Sequence, residues 1–262
     1  MRASFRFSVF LFLASVLSAA PKSLQIYFVD VEGGQATLFV TPAGQSLLID
    51  TGWPGNAYRD ANRIAAAAKL AKIKKIDYVV ITHFHDDHVG GVPQLVDKIP
   101  VGTFIDHGAD TETGKGAERL WAGYQKGLAT AKRLTVKPGD TIPIKGLEAT
   151  IVSSNGEVIA QPLPGAGASN SYCSSAEQRP VDTTENARSV GTYFTFGKFR
   201  TVDLGDLTWN KEALLACPNA KLGPVDVLIV THHGFNQSSN PVLVKALAPR
   251  VAIMDNGAKK GG

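Results

Sequence analysis

The sequence predicts an α/β chain in which two strand-and-helix halves pack against each other as layers. Three observations carry this expectation. Strand-type runs occur in two sets, each joined to helical stretches, which is the pattern of layered α/β domains. Apolar runs such as "DYVVIT" (77 to 82) are short and apolar throughout, as strands covered on both faces are. The 26 glycines and 14 prolines among 262 residues supply many turns and argue against a long helical bundle. At 44% hydrophobic and 19% charged residues, the chain has ordinary globular composition and ample material for a core.

The first twenty residues stand apart. Arg2 and Arg6 precede the short apolar run "SVFLFLASVLS", and Ser18, Ala19 and Ala20 end it, which is the layout of a secretory signal peptide. The run is short for a bilayer span, so a retained membrane anchor is the weaker alternative. Residues 21–262 are expected to form one compact domain, with no linker-like stretch within it. "LQIYFVDV" (24 to 31) alternates and is rich in branched and aromatic residues, so it reads as a strand. "ATLFVT" and "SLLID" follow as a hairpin around Pro42, Ala43 and Gly44. "NAYRDANRIAAAAKLAKI" (56 to 73) reads as a helix with Asn56 as its N-cap. After the strand at 77 to 82, "PQLVDKI" offers a turn or two of helix, "VGTFID" a strand, and residues 116 to 133 a helix.

The second half repeats the style. Residues 134 to 154 are strand-rich, and 155 to 189 read as a long loop rich in Gly, Pro, Ser and Asn. "GTYFTFGKFRTVDLGD" (191 to 206) reads as a hairpin turning at Gly197 and Lys198. A short helix ("NKEALLAC"), a strand ("VDVLIVT"), a helix ("NPVLVKAL") and a strand ("RVAIMD") complete the pattern. The chain stops soon after that last strand, and further C-terminal residues are expected in the natural protein. Taking Arg2 and Arg6 from the 27 basic residues leaves 25 against 23 acidic ones. With no dense basic patch, a stable nucleic-acid complex is not expected. Cys173 and Cys217 are an even pair; in an exported chain they read as a disulfide, with two free thiols as the alternative.

"ITHFHDDHVGG" (81 to 91) places three of the chain's six histidines, with Asp86 and Asp87, in six positions after a strand. Side chains of this kind would be costly to bury unpaired. Imidazole and carboxylate together suit Zn²⁺, with Mn²⁺ or Fe²⁺ as alternatives, and the crowding suits one or two ions.

His83-Phe84-His85-Asp86-Asp87-His88 resembles the H-x-H-x-D-H signature of the metallo-β-lactamase superfamily. Asp50 in "LLIDTG", Asp206 in "VDLGDLTW" and His232 in "LIVTHHG" resemble, in order, the family's first acidic position, its metal-bridging aspartate and its last ligand. The resemblance runs from about Leu24 to the end. "VLIVTHHGFNQSSNPVLVKALAPRVAIM" and "ENARSVGTYFTFGKFRTVDLGD" are similar to the extracytoplasmic hydrolase domain of the DNA-uptake protein ComEC and its stand-alone relatives. The resemblance implies a four-layer αββα sandwich with the metals at one edge. It assigns His83 and His85 to a first metal, Asp87, His88 and His232 to a second, and Asp206 to both, with Asp87 and Asp206 as the catalytic carboxylates.

This chain departs from the family where the first metal's third histidine stands. Asn186 and Ser189 occupy that region, to fill the gap directly or through water, and a one-metal site is the alternative. His107 is expected to be supporting or structural more than ligating. Of His232 and His233 only one should ligate if the segment is extended, since neighbouring side chains then point apart; the resemblance favours His232. Asp50 would hold the outer N–H of a ligating imidazole.

The function that follows is that of an exported, periplasmic or secreted hydrolase using metal-activated water. ComEC-like relatives imply a phosphodiesterase or nuclease, on a small-molecule or nucleic-acid-type substrate. A lactonase, β-lactamase or other ester or amide hydrolase is the alternative. A catalytically weakened metal-binding or sensing module is the reading of another class, favoured by the missing histidine. Di-iron oxygen-reducing relatives carry a glutamate where His85 stands, which disfavours that chemistry.

Overall fold

The structure, a computed structural model, describes residues 23–257. The expected signal peptide, residues 1–20, lies outside the described residues, as does the extreme C-terminus. Twelve strands form two six-stranded sheets among these residues. The first sheet takes, in chain order, β1 (Gln25–Phe28), β2 (Thr37–Val40), β3 (Ser46–Ile49), β4 (Ile76–Val80), β5 (Val101–Asp106) and β6 (Lys132–Thr135). The second runs β12-β11-β10-β9-β7-β8 across its width, from β7 (Glu148–Ser154), β8 (Glu157–Val158), β9 (Gly191–Phe196), β10 (Phe199–Asp203), β11 (Val227–Ile229) and β12 (Val251–Ile253). Helices α1 (Arg59–Leu70), α2 (Asp86–Val89), α3 (Val92–Val96) and α4 (Lys115–Leu128) belong to the first half; α5 (Trp209–Ala216) and α6 (Pro241–Leu247) belong to the second.

The period-2 alternation of strands explains why there are three apolar layers. On β2, Leu38 and Val40 face α1, α3 and α4, joining Ile64, Ala68, Leu95 and Tyr124. Phe39, between them in sequence, faces the other way and stacks on Phe194 of β9 with ring centroids 4.4 Å apart. Leu47, Ile49, Val80 and Ile105 line the same inter-sheet layer as Ile151 and Ile229. Outside the second sheet, Val202, Leu204 and Leu228 pack on Leu215 of α5 and Leu243 and Leu247 of α6. This is the four-layer αββα sandwich that the resemblance implied, with the buried apolar residues of the central strands assigned to layers by their parity.

Several boundaries differ from the sequence reading: β1 spans only Gln25–Phe28, and β8 forms within the 155 to 189 stretch expected as a loop. The helix expected over 116 to 133 ends at Leu128, and the chain turns to add β6 parallel to β5. "KRLT" is exposed along its length, so it carries no apolar signal. It is placed by pairing and by Arg133, whose Nε donates to Asp106 Oδ2 at 2.7 Å. Such a charged strand also protects a sheet edge from aggregation. Asn56 does not cap α1: it sits in a preceding 3-10 turn, and Tyr58, in the left-handed region, precedes the first residue Arg59.

β3, β4 and β5 run parallel, as do β10, β11 and β12. Their C-terminal ends therefore point the same way within each sheet, and the loops that follow β3, β4, β10 and β11 gather at one edge. Cys173 and Cys217 form a disulfide that joins the long loop to the end of α5. Among the described residues, no helix is long and apolar enough to cross a membrane.

Candidate metal centre

Each element delivers its side chains for a local reason. β4 ends at Val80 and the chain bends at Phe84 and His85; Phe84 packs in the core beside Trp121 and Tyr124, while the rings of His83 and His85 meet each other at the site. The chain then winds into α2, which brings Asp87 and His88 round to the same space and sends Asp86 outward to Arg119 at 2.8 Å. β10 ends at Asp203, and Gly205 turns the chain with φ +55°. A Cβ there would lie 2.7 Å from Thr82 Cβ, so only glycine lets Asp206 approach the β4 loop. After β11, His232 and His233 both adopt left-handed backbone, with φ 55° at each. The segment is not extended, so both rings reach Asp206 instead of pointing apart.

The donor atoms converge. Asp87, His88, Asp206 and His233 each offer an atom, all lying within 4.8 Å of one another, and all four residues are buried. His88 Nε2 is 3.2 Å from Asp206 Oδ1, and His233 Nε2 is 3.2 Å from Asp87 Oδ2. The other oxygen, Asp206 Oδ2, faces His232 Nε2 at 3.4 Å and His83 Nε2 at 3.8 Å. His83 Nε2 and His85 Nδ1 are 3.0 Å apart. The Asp206 carboxylate thus stands between two groups of imidazoles. It is His233, not His232, that joins Asp87 and His88.

The outer nitrogens show that the inner ones are free to ligate. Asp255 contributes a backbone carbonyl, which only accepts, so His233 Nδ1 must donate to it at 2.7 Å and leave Nε2 facing inward. His88 Nδ1 meets Asp50 Oδ2 at 2.7 Å. Thr82 gives its hydroxyl proton to Asp50 Oδ2 at 2.7 Å, which leaves its oxygen to accept from His83 Nδ1 at 3.1 Å. His85 Nε2 meets Glu112 Oε1 at 3.1 Å. Carboxylates and carbonyls behind ligating imidazoles set their tautomer and raise their basicity. Two inward imidazole lone pairs at 3.0 Å repel unless a proton or cation lies between them. Two ligands on one tetrahedral zinc stand about 3.3 Å apart for bonds of about 2.05 Å. The residues present therefore fit a divalent cation.

In the metal-free chain a proton on His88 answers the carboxylates. Burial lowers the His88 imidazolium, but the Asp206 and Asp50 carboxylates outweigh it and hold the pKa up to about 10. Burial would raise Asp206, yet the His88, His233 and His232 rings hold it well below the usual carboxylate range. Burial, with the neighbouring His88 and His85 rings, pushes His83 well below its ordinary value. Metal uptake at such a site must displace protons.

Asn186 and Ser189 do not occupy equivalent positions. Ser189 Oγ accepts the Asp206 N–H at 3.2 Å, so it orients the acid through its backbone. Asn186 Nδ2 lies 3.5 Å from His232 Nε2. His107 Nε2 meets Glu185 Oε2 at 2.9 Å, away from the donor cluster.

Glu185 was not singled out by the sequence, although it directly precedes Asn186. It is fully buried and accepts from Thr111 N–H at 2.9 Å and Thr111 Oγ1 at 2.5 Å, and it faces Phe84 N at 3.3 Å. It thereby ties three loops together beneath His83 and His85. Burial raises its pKa, but the hydrogen bonds from His107 and Thr111 prevail and bring it from 4.5 to about 2. A depressed acid stabilises the fold above its unfolded value and loses that contribution as pH falls through the folded one. Glu185→Gln is therefore expected to lower stability at pH 7 by roughly 1–2 kcal/mol after allowance for solvent screening. Urea melts should show the gap between the two proteins closing as pH drops from about 4.5 toward 2; a gap independent of pH would contradict this role.

The family model of the metallo-beta-lactamase superfamily matches residues 29–176. The chain is 23% identical over 262 aligned positions to ComE operon protein 3 of Bacillus subtilis (strain 168), covering 94% of this chain and 30% of that protein. It is 36% identical over 67 residues to Beta-lactamase-like protein 2 homolog of Caenorhabditis elegans, covering 25% of this chain and 22% of that one. The chain thus spans less than a third of the length of either relative. Among solved structures, a metallo-beta-lactamase with a HARLDQ motif from Cronobacter sakazakii aligns over 88% of this chain and 92% of its own. Its TM-score is 0.49 at 14% identity.

Proposed function

The chain belongs to the metallo-beta-lactamase superfamily, and on that premise we propose that it is an exported, metal-dependent hydrolase acting on phosphodiesters. One observation carries the hydrolase reading: a buried carboxylate, Asp206, whose two oxygens face separate sets of inward imidazole nitrogens. Asp87, His88, His233 and Asp206 would hold a divalent cation, Zn²⁺ by donor type, with Mn²⁺ or Fe²⁺ as alternatives. A cation held there would acidify water near neutrality and polarise the substrate oxygen.

The chain's own residues supply the rest. Asp206 Oδ1 is buried between His88 Nε2 at 3.2 Å and His233 Nε2 at 3.5 Å, on the side where a cation would be held. Asp87, whose Oδ2 faces the same space, is the second carboxylate of the pocket. His83 and His88 are fully buried and close the floor to bulk water, whereas the side chains of His85 and His232 are 29% and 11% exposed. Substrate therefore enters on the His85–His232 side. No serine or cysteine nucleophile is needed for this chemistry.

The phosphodiester assignment rests on the resemblance to ComEC-type domains. Export rests on the signal-peptide layout of the first twenty residues, and the disulfide supports it because such bonds persist in oxidising compartments. The test is a substrate panel on chelator-stripped protein reloaded with Zn²⁺ or Mn²⁺. Bis(p-nitrophenyl) phosphate and single-stranded DNA are expected to be cleaved only after reloading. Metal-restored cleavage of a lactone or β-lactam alone would move the chain to the ester and amide hydrolases. No metal-dependent turnover on any of them would leave a binding or sensing module.

A further inference from the structure

We propose that His232 is the third imidazole of a second cation pocket, formed with His83, His85 and the Oδ2 oxygen of Asp206. The pocket therefore stays complete although no histidine stands at Asn186 or Ser189. This rests on the metal-dependent reading of the site and adds to it an assignment of the adjacent histidines to different ions.

The geometry separates the two rings. His233 Nε2 lies 3.1 Å from His88 Nε2 and 3.5 Å from Asp206 Oδ1, on one side of the carboxylate. His232 Nε2 lies 3.4 Å from Asp206 Oδ2, the oxygen that also faces His83 Nε2 at 3.8 Å. The ring centroids of His232 and His233 are 6.3 Å apart and their planes are inclined by 70°, so they address different points. Two consecutive left-handed residues cost conformational energy for non-glycine side chains. The result is that neighbouring rings straddle one carboxylate, which no extended segment achieves.

His232 also has the outer-nitrogen arrangement of a ligand. Its Nδ1 lies 3.3 Å from the buried Ser238 hydroxyl, which turns Nε2 toward the acid. The Asn186 amide nitrogen beside Nε2 stands at 3.5 Å, too long for a good hydrogen bond. The Ser238 hydroxyl can accept as well as donate, so Nδ1 can carry the proton and leave Nε2 its lone pair. His83 Nε2 and His85 Nδ1 supply the other two, with their outer nitrogens held by Thr82 and Glu112. Three imidazoles and one carboxylate oxygen match the number and type of donors that a tetrahedral cation takes. Ser189 is not needed, because its hydroxyl is already engaged by the Asp206 N–H.

Metal stoichiometry tests this without reference to turnover. Full-length mature protein, stripped and dialysed against excess Zn²⁺, is expected to retain two ions per chain by elemental analysis. His232→Ala and His233→Ala are each expected to retain one. Titration with Co²⁺, followed by visible absorption, should show the weaker step in H232A displaced by at least about 100-fold. Circular dichroism checks the fold, and His232→Gln replaces the alanine variant if that one misfolds. Two ions bound to both wild type and H232A would overturn this assignment and leave the hydrolase reading standing. One ion in wild type, unchanged in H232A, would overturn it as well. No ion in wild type would overturn both.

Discussion

Asp206→Ala is expected to abolish metal-dependent hydrolysis, by about 10³-fold or more, while the protein stays folded. The expectation follows from the carboxylate's position between the imidazole groups. Without it, His83, His88, His232 and His233 lose a carboxylate that faces all four, and cations held there would lose a shared counter-charge. Interactions of this kind, made with charge that develops during reaction, are commonly worth a few kcal/mol each. Asp206 is fixed by its backbone as much as by its charge: Gly205 permits the turn, and Ser189 receives the N–H. The alanine variant retains both features, so circular dichroism and the thermal midpoint of the chelated protein should change little beyond the loss of the His88–Asp206 attraction. Elemental analysis would show metal content falling together with turnover. Retained activity with normal metal content would show that the reaction runs elsewhere on the molecule.

Removing the Cys173–Cys217 bridge is expected to produce the largest loss of stability. The cysteines are 44 positions apart. Closing a loop of that length restricts the unfolded chain by about 4 kcal/mol on the chain-entropy account, and the measured cost commonly falls to about 2–4. For a chain of this size that corresponds to a drop of roughly 5–15 °C in the thermal midpoint. The closed loop carries Glu185, Asn186, Ser189 and Asp206, so the bridge confines the stretch that holds the acid of the site. Thermal melts of Cys173→Ser/Cys217→Ser, or of the wild type under reductant, measure it. A drop below about 1 kcal/mol would mean that other contacts already confine the loop. Asn170 Nδ2, which donates to Ala216 O at 3.1 Å and Val242 O at 3.0 Å, would be the first suspect.

The strands were legible because apolar parity along a strand is a local property. "TLFV" and "SLLI" declare themselves whatever they pair with, and the buried pattern of β2 and β3 is continuous in the structure. The edge strand β6 was not legible, because "KRLT" is exposed and is held by pairing and by the Arg133–Asp106 ion pair, both non-local. Glu185 was missed for a related reason. Its four partners come from residues 84, 107 and 111, between 74 and 101 positions away. A lone glutamate in a polar loop carries no sign of that. Glu112 and Asp255, behind His85 and His233, were hidden in the same way.

The chain's own order determined that His83, His85, Asp87 and His88 would share one space. A strand end followed by a single helical turn leaves few other directions for those side chains. It also determined the layered α/β architecture, since short apolar runs alternating with helices have few ways to cover both faces of a sheet. Only the tertiary structure decided how His232 and His233 are shared around Asp206. Two adjacent residues with identical side chains are equivalent in a sequence. They become different when left-handed backbone and the Asp255 carbonyl turn one ring to each side of a carboxylate brought in from another strand.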